Sequence, residues 1–302
     1  MKKILHLSTI FLILSIIISS CTSTNFLETE DAYLRQKPSG DMPEVFARGI
    51  VSSNHLEHSA PRFSPDGTEV FWEIVRLPIV EGVSGKMILT MQYTANGWSK
   101  PTETKDFPVF TSDGKRFYFS SLPKPSKNNM STEKDSENLA NYIHLIAQYP
   151  ELRYTRGLSI ANNRNIYFMS HLEGPFNGIG IYRAEFINGE YAKPGPLPSS
   201  INKADFLNWT PFIAPDESYL LFSSNRKDPD NDAGDLYISL RLTDGTWTNP
   251  VNLGEPVSSL EQERFPMISP DGKHLFFTRP TSEYHQDVFW VSANIIDRLR
   301  KK

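Results

Sequence analysis

The 302-residue chain has one cysteine, Cys21, so it forms no internal disulfide and its stability has to come from packing. A basic balance is lacking too. Lys and Arg number 31 against 35 Asp and Glu, a net charge of -4 that gives no basic footprint for nucleic acid. RNP-like and zinc-knuckle patterns are also missing. Beyond the leader no 3.6-residue apolar period is sustained, which excludes helical repeats. The leading apolar stretch, Ile10 to Ile18, is too short to span a bilayer. No G-x-S-x-G elbow, P-loop, H-E-x-x-H or dinucleotide fingerprint occurs, and His55-Leu56-Glu57-His58 does not have zincin spacing. No motif therefore announces catalysis.

What is present is a repeat. Five times a short β-type run breaks at a turn and resumes as an aromatic-rich run. The turns are Ser64-Pro65-Asp66-Gly67, Thr111-Ser112-Asp113-Gly114, a degenerate Ala161-Asn162-Asn163, Ala214-Pro215-Asp216 and Ser269-Pro270-Asp271-Gly272. Proline presets φ, Asp or Asn bonds its own backbone, and Gly accepts positive φ, so each copy reads as a hairpin. Residues 66, 113, 163, 216 and 271 are spaced by 47, 50, 53 and 55, a period that in strand-forming sequence indicates propeller blades. A second hairpin signature follows in three copies: Asn96-Gly97-Trp98, Asn188-Gly189-Glu190 and Asp244-Gly245-Thr246-Trp247, each with a proline shortly after. The predicted fold is all-β, a propeller of four-stranded blades. The last repeat has only three strands, and Val45 to Ser53 resembles Val251 to Ser259, so an N-terminal strand is expected to complete the ring. Five blades result, or six if the segment from Pro123 to Asn138 supplies another.

Residues 1–20 have the basic start, short apolar region and small-residue end of an export signal, and Cys21 stands at the cleavage position. This resembles the lipobox of bacterial lipoproteins, which implies a lipidated Cys21 and attachment to a membrane through that lipid. Residues 21–43 then read as a flexible tether and 44–302 as the propeller. Deletion up to Asp41 is expected to do little, and deletion up to Ser53 to lower the melting temperature sharply. Thr22, which is not aspartate, resembles an outer-membrane address of Gram-negative lipoproteins.

In such blades both families of tight turn lie on one face and the long loops on the other, where binding or catalysis usually resides. His55, His58, His171 and His285 fall on the loop side, as do Arg76, Arg226 and Arg279. Glu57, Arg156, Glu263 and Arg264 sit near inner-strand starts, within reach of the channel mouth. Converging histidines and carboxylates suit a divalent transition metal, the arginines suit an anionic ligand, and both sets also suit plain solvated loops. Asp228, Asp230, Asp232 and Asp235 form an acidic loop open to calcium, although Ala233 and Ser239 stand where an EF-hand needs Gly and Glu.

Phe63-Ser64-Pro65-Asp66-Gly67 and Ile268-Ser269-Pro270-Asp271-Gly272 resemble the PD40 repeats of TolB-like propellers and bacterial lipoproteins. So do Ile213 to Tyr219, Gly245 to Gly254 and Val288 to Val291. The resemblance covers most of Glu44 to Arg300. It implies a propeller in the cell envelope, periplasmic or surface-exposed, that acts as a binding or scaffold module for a protein or oligosaccharide. One fold hosts unrelated activities. Some PD40-like propellers resemble oligogalacturonate lyases that use a histidine-held metal, so a metal-dependent enzyme acting on anionic sugars is the alternative.

Overall fold

A computed structural model describes residues 25–77, 85–105, 107–119, 142–143, 149, 152, 155–171, 178–203, 205–227, 234–282 and 285–300. Cys21, Asp228, Asp230 and Asp232 lie outside these residues. The fold is all-β and propeller-like. In chain order the first sheet contains Arg62–Phe63, Glu69–Val75, Lys86–Thr94 and Thr102–Thr104, with Leu56–Glu57 added beside Glu69–Val75. The third contains Arg156–Ile160, Ile166–His171, Ile179–Ala184 and Gly195–Pro196. The fourth contains Asn208–Ile213, Tyr219–Ser224, Asp235–Leu240 and Val251–Asn252. The fifth runs Arg264–Ile268, His274–Ser282 and His285–Ser292, and Glu44–Val45 completes it by pairing Glu44 with Trp290 and Val45 with Phe289. The N-terminal strand thus joins the two ends of the chain in one sheet.

The second sheet departs from a four-stranded meander. Val109–Phe110 pairs antiparallel with Arg116–Phe119, and Tyr142–Ile143 then lies parallel to Arg116–Phe119. A parallel neighbour needs a crossover rather than a hairpin.

All five turns share one hydrogen-bond pattern, including the degenerate third. Gly67 N donates to Ser64 O, and Gly114, Arg164, Glu217 and Gly272 do the same to Thr111, Ala161, Ala214 and Ser269 at 2.8–3.0 Å. Each of these donors has positive φ, from 58° at Glu217 to 86° at Gly114. Glycine suits that conformation; Arg164 and Glu217 adopt it at a cost. Both side chains span a seam between sheets. The Arg164 guanidinium lies 4.9 Å from the Phe117 ring and 3.7 Å from that of Phe186. Buried Glu217 accepts from Tyr167 Oη at 2.6 Å, Asn163 at 2.9 Å and Asn165 at 3.1 Å, and pairs with Arg241 at 2.6 Å.

Adjacent sheets pack face to face. The fifth meets the first through Phe46, Phe63, Trp72, Phe276 and Trp290, and the fourth meets the fifth through Phe212, Leu221, Leu275 and Phe277. Third and fourth share Tyr167, Ile181, Leu220 and Phe222; second and third share Val109, Phe117, Leu158 and Phe168. The first and second are bridged by Arg116, which pairs with Glu69 and lies over Phe71 and Phe110.

The tether expected at 21–43 is not free where it is described. Leu27, Ala32 and Tyr33 are buried in the seam between fifth and first sheets. Tyr33 packs its ring 5.3 Å from Phe63, 5.9 Å from Trp290 and 5.1 Å from His274. Tyr93 Oη and Trp98 Nε1 donate to Asp31 at 2.6 and 2.7 Å. Tyr33, Leu34 and Arg35 all have positive φ, and this knuckle turns the ring of Tyr33 inward without any helical or strand period.

Candidate functional site

The third, fourth and fifth sheets carry the same irregularity where their inner strands begin. Pairing shifts register between Arg156 and Ser159, between Trp209 and Phe212, and between Arg264 and Met267. Within each lies a residue of positive φ: Gly157, Thr210 and Phe265. Bulges of this kind re-aim side chains. Here they bring Arg156, Trp209 and Arg264 from three sheets to one cavity of about 550 Å³.

His58, Arg62, Glu73 and Lys86 from the first sheet line the same cavity, with Lys105, Phe107, Tyr118, Thr155, Met169 and Phe265. Arg62 is its innermost cation. It lies deep in the ring yet keeps surface open to the cavity, and it also borders a narrower recess of about 230 Å³ lined by Pro65, Thr111, Pro215 and Pro270 of the turns. Its guanidinium donates to Pro108 O at 3.1 Å and Leu158 O at 2.9 Å and rests 4.3 Å from the Phe107 ring. Burial pushes its pKa down to about 10, with Glu73 opposing. Arg62 thus separates a loop-side cavity from a turn-side recess.

Charge in the described lining is one-sided. Arg62, Lys86, Lys105, Arg156 and Arg264 face a single carboxylate, Glu73, which Lys86 engages at 3.0 Å and His58 at 3.5 Å. Burial, then Lys86, lower the pKa of His58, so its imidazole adds no charge near neutral pH. Arg264 lies over Trp209 at 5.2 Å and His58 beside Phe265 at 5.4 Å. Exposed Arg156 hydrogen-bonds no described residue, and the buried Thr155 hydroxyl also lacks a described partner. In a chain of net charge -4, this cavity concentrates positive potential in one concave place.

Of the residues singled out in the sequence, His58, Arg156 and Arg264 reach the cavity. The others are placed elsewhere. Glu57 is fully buried, accepting from Ser53 N at 2.8 Å and Ser53 Oγ at 3.0 Å, and burial pushes its pKa up to about 7. Glu263 repeats that arrangement with Ser259 and is paired with Arg279 at 2.8 Å; Arg279 also donates to Val257 O. Arg226 clamps Ile201 O and Asn208 in the fourth sheet. His55 accepts from Leu77 N, Arg76 is exposed beside Met87, and the His171 carbonyl accepts from Tyr182. His285 begins the third strand of the fifth sheet. Asp235 is buried and held by Asn252 at 2.8 Å and Lys227 at 3.5 Å. Among the described residues no three of His, Cys, Asp and Glu gather closely enough to hold a metal ion.

Arg62, Glu73, Lys86 and Lys105 are the charged lining residues that the loop-based reading missed. Arg62 had a signal. Four residues before each turn acid or Asn163 stand Arg62, Val109, Ser159, Phe212 and Met267, so one copy alone carries charge on that tier.

No family model matches this sequence, and no curated protein does. Solved structures similar to it include a TolB-assigned protein from Agrobacterium tumefaciens, at 15% identity and TM-score 0.44, covering 76% of this chain and 72% of that one. TolB from Acinetobacter baumannii is 13% identical with TM-score 0.32, over 80% of this chain and 42% of that one. A puromycin-hydrolyzing peptidase from Mycobacterium tuberculosis is 13% identical with TM-score 0.40, over 84% and 48%. Likeness at this level concerns the fold alone. No helix among the described residues is long and apolar enough to cross a membrane.

Proposed function

We propose that this protein is a five-bladed propeller carried on a lipidated Cys21 in the bacterial cell envelope, at the outer membrane, and that it works as a binding module. Its loop-side channel mouth engages an anionic group of a protein or oligosaccharide partner. The observation that supports this reading is the cavity itself, with five cations against one carboxylate on the axis of an acidic protein. Cations held on rigid inner strands bind and orient an anion, and they steer it in from solution. Nothing in this arrangement calls for turnover.

Photo-crosslinking in living cells tests it. A crosslinking residue replacing Arg156 should yield discrete adducts in the envelope fraction, and one replacing exposed Asp113 on the turn face should not. Adducts from Asp113 alone, or from neither position, would refute the assignment. Replacing Cys21 with serine should release the protein from membranes; retention there would refute the anchor.

A further inference from the structure

The cavity is graded in character, which narrows what fits it. At the inner end Arg62 uses two donors on the neutral carbonyls of Pro108 and Leu158, and Glu73 is the one lining carboxylate that supports its charge. The one carboxylate in the described lining, Glu73, is already paired with Lys86 at 3.0 Å. The rest of the described wall mixes apolar Ile88, Phe107 and Met169 with the hydroxyls of Ser59, Tyr118, Thr155 and Thr210. Arg156 and Arg264 stand at the inner-strand starts, and Arg156 is solvent-exposed. A cavity with Arg62 at its inner end, an apolar patch on its wall and cations at the entrance suits a chain end that carries its own charge.

We propose that it receives the free C-terminus of a partner polypeptide. The terminal carboxylate meets Arg62, an apolar last side chain lies against Ile88, Phe107 and Met169, and acidic residues further back meet Arg156 and Arg264. This rests on the reading of the channel mouth as an anion-binding site, and it commits to a protein occupant, with an anionic sugar as an outcome of the test. The described lining contains no Asn, Asp or Gln, its one carboxylate, Glu73, is paired with Lys86 at 3.0 Å, and Arg264 stacks on Trp209 at 5.2 Å. Capture of a terminal carboxylate is a known recognition mode in which one charge sets register and neighbouring pockets set specificity.

Fluorescence anisotropy on the full chain tests the proposal. The probe is an N-terminally labelled hexapeptide with three glutamates, a Gly-Ser spacer and a terminal leucine, made as the free acid and as the C-terminal amide. The free acid should bind at least tenfold tighter than the amide, since an ionised acceptor on a guanidinium is worth about that factor. Arg62→Met should abolish the ratio, and Arg156→Ala should weaken both forms several-fold while preserving it. If Arg62→Met does not fold, the wild-type ratio and the Arg156→Ala result still decide. Equal binding of acid and amide, or no binding of the peptide, overturns the proposal. Trigalacturonate in parallel separates the two readings: sugar binding without peptide binding overturns this inference and leaves the anion site standing, and failure of both removes the anion site as well.

Discussion

Replacing Tyr33 with alanine should lower stability by about 3 kcal/mol, at the low end of the range for truncating a buried aromatic residue. Tyr33 is 3% exposed, and its ring sits among Phe63, Phe276, Trp290 and His274 in the seam where the ends of the chain meet. Two effects oppose each other. Truncation removes ring contacts and leaves a void, yet the strap can peel away, which regains chain entropy and lets water fill the space. The loss is therefore capped by the docking free energy of residues 25–36, and a deletion of those residues measures that cap directly. For a chain of this size each kcal/mol shifts Tm by roughly 2–4 °C, so Tyr33→Ala should melt about 6–12 °C below wild type. Intrinsic fluorescence reports it well, because Trp72 and Trp290 belong to the same cluster. Tyr33→Phe should stay within about 2 °C, since the ring remains. If Tyr33→Ala melted within about 1 °C of wild type, the strap would not be docked, and the reading of residues 21–43 as a tether would stand.

Glu217→Gly sets relief of positive φ, worth about 1–2 kcal/mol, against loss of a buried carboxylate that pairs with Arg241 and binds Tyr167, worth about 3–5. It should destabilise by roughly 1–4 kcal/mol in chemical unfolding, and a stabilised variant would show that the hub contributes little. Glu57→Gln should raise Tm at pH 8 and lose that advantage below about pH 5. Burial raises the folded pKa from 4.5 to about 7, so the folded protein binds the extra proton, and wild-type stability falls as pH rises through that window by roughly 3 kcal/mol. A Tm difference that ignores pH would refute this assignment. Gly157→Ala should cost about 1–2 kcal/mol, because φ is +65° and the new Cβ would meet Thr210 Cα at 3.3 Å; an unchanged melting curve would contradict the bulge.

The repeat was legible because its turns are local chemistry. Ser or Thr two residues before the acid donates to it at 2.5–2.6 Å in three copies, and the residue after the acid or Asn163 takes positive φ in all five. Ring closure was legible because Val45 to Ser53 repeats Val251 to Ser259, down to the Ser53–Glu57 and Ser259–Glu263 bonds. The docked strap was not. Its anchors are Leu27 and Tyr33, held by a three-residue left-handed knuckle that leaves no period in the sequence. The parallel pair in the second sheet was equally hidden, since strand direction is set by the connection and not by the strand's own residues.

The site was less legible than the fold for a specific reason. A one-residue shift of register moves every later side chain to the other face of its strand, and the inner strands of the third, fourth and fifth sheets each contain such a shift. Alternation alone therefore cannot say which of Glu263 and Arg264 turns toward the axis. The structure puts Arg264 there and buries Glu263 against Arg279. Counting back from the turn avoids the difficulty, because the three copies carry the bulge at the same distance from it, between four and seven residues before the turn acid or Asn163. Seven residues before the turn acid or Asn163, three copies place Arg156, Trp209 and Arg264; four residues before, the tier of Arg62 is reached in all five. On that inner tier the other copies have Val109, Ser159, Phe212 and Met267, none of which carries the cost of desolvating a guanidinium. Four copies do without a charge on this tier. Arg62, in the first copy, ties the carbonyls of Pro108 and Leu158 and borders the cavity as well, so Arg62→Met removes a structural bridge and the innermost cation together.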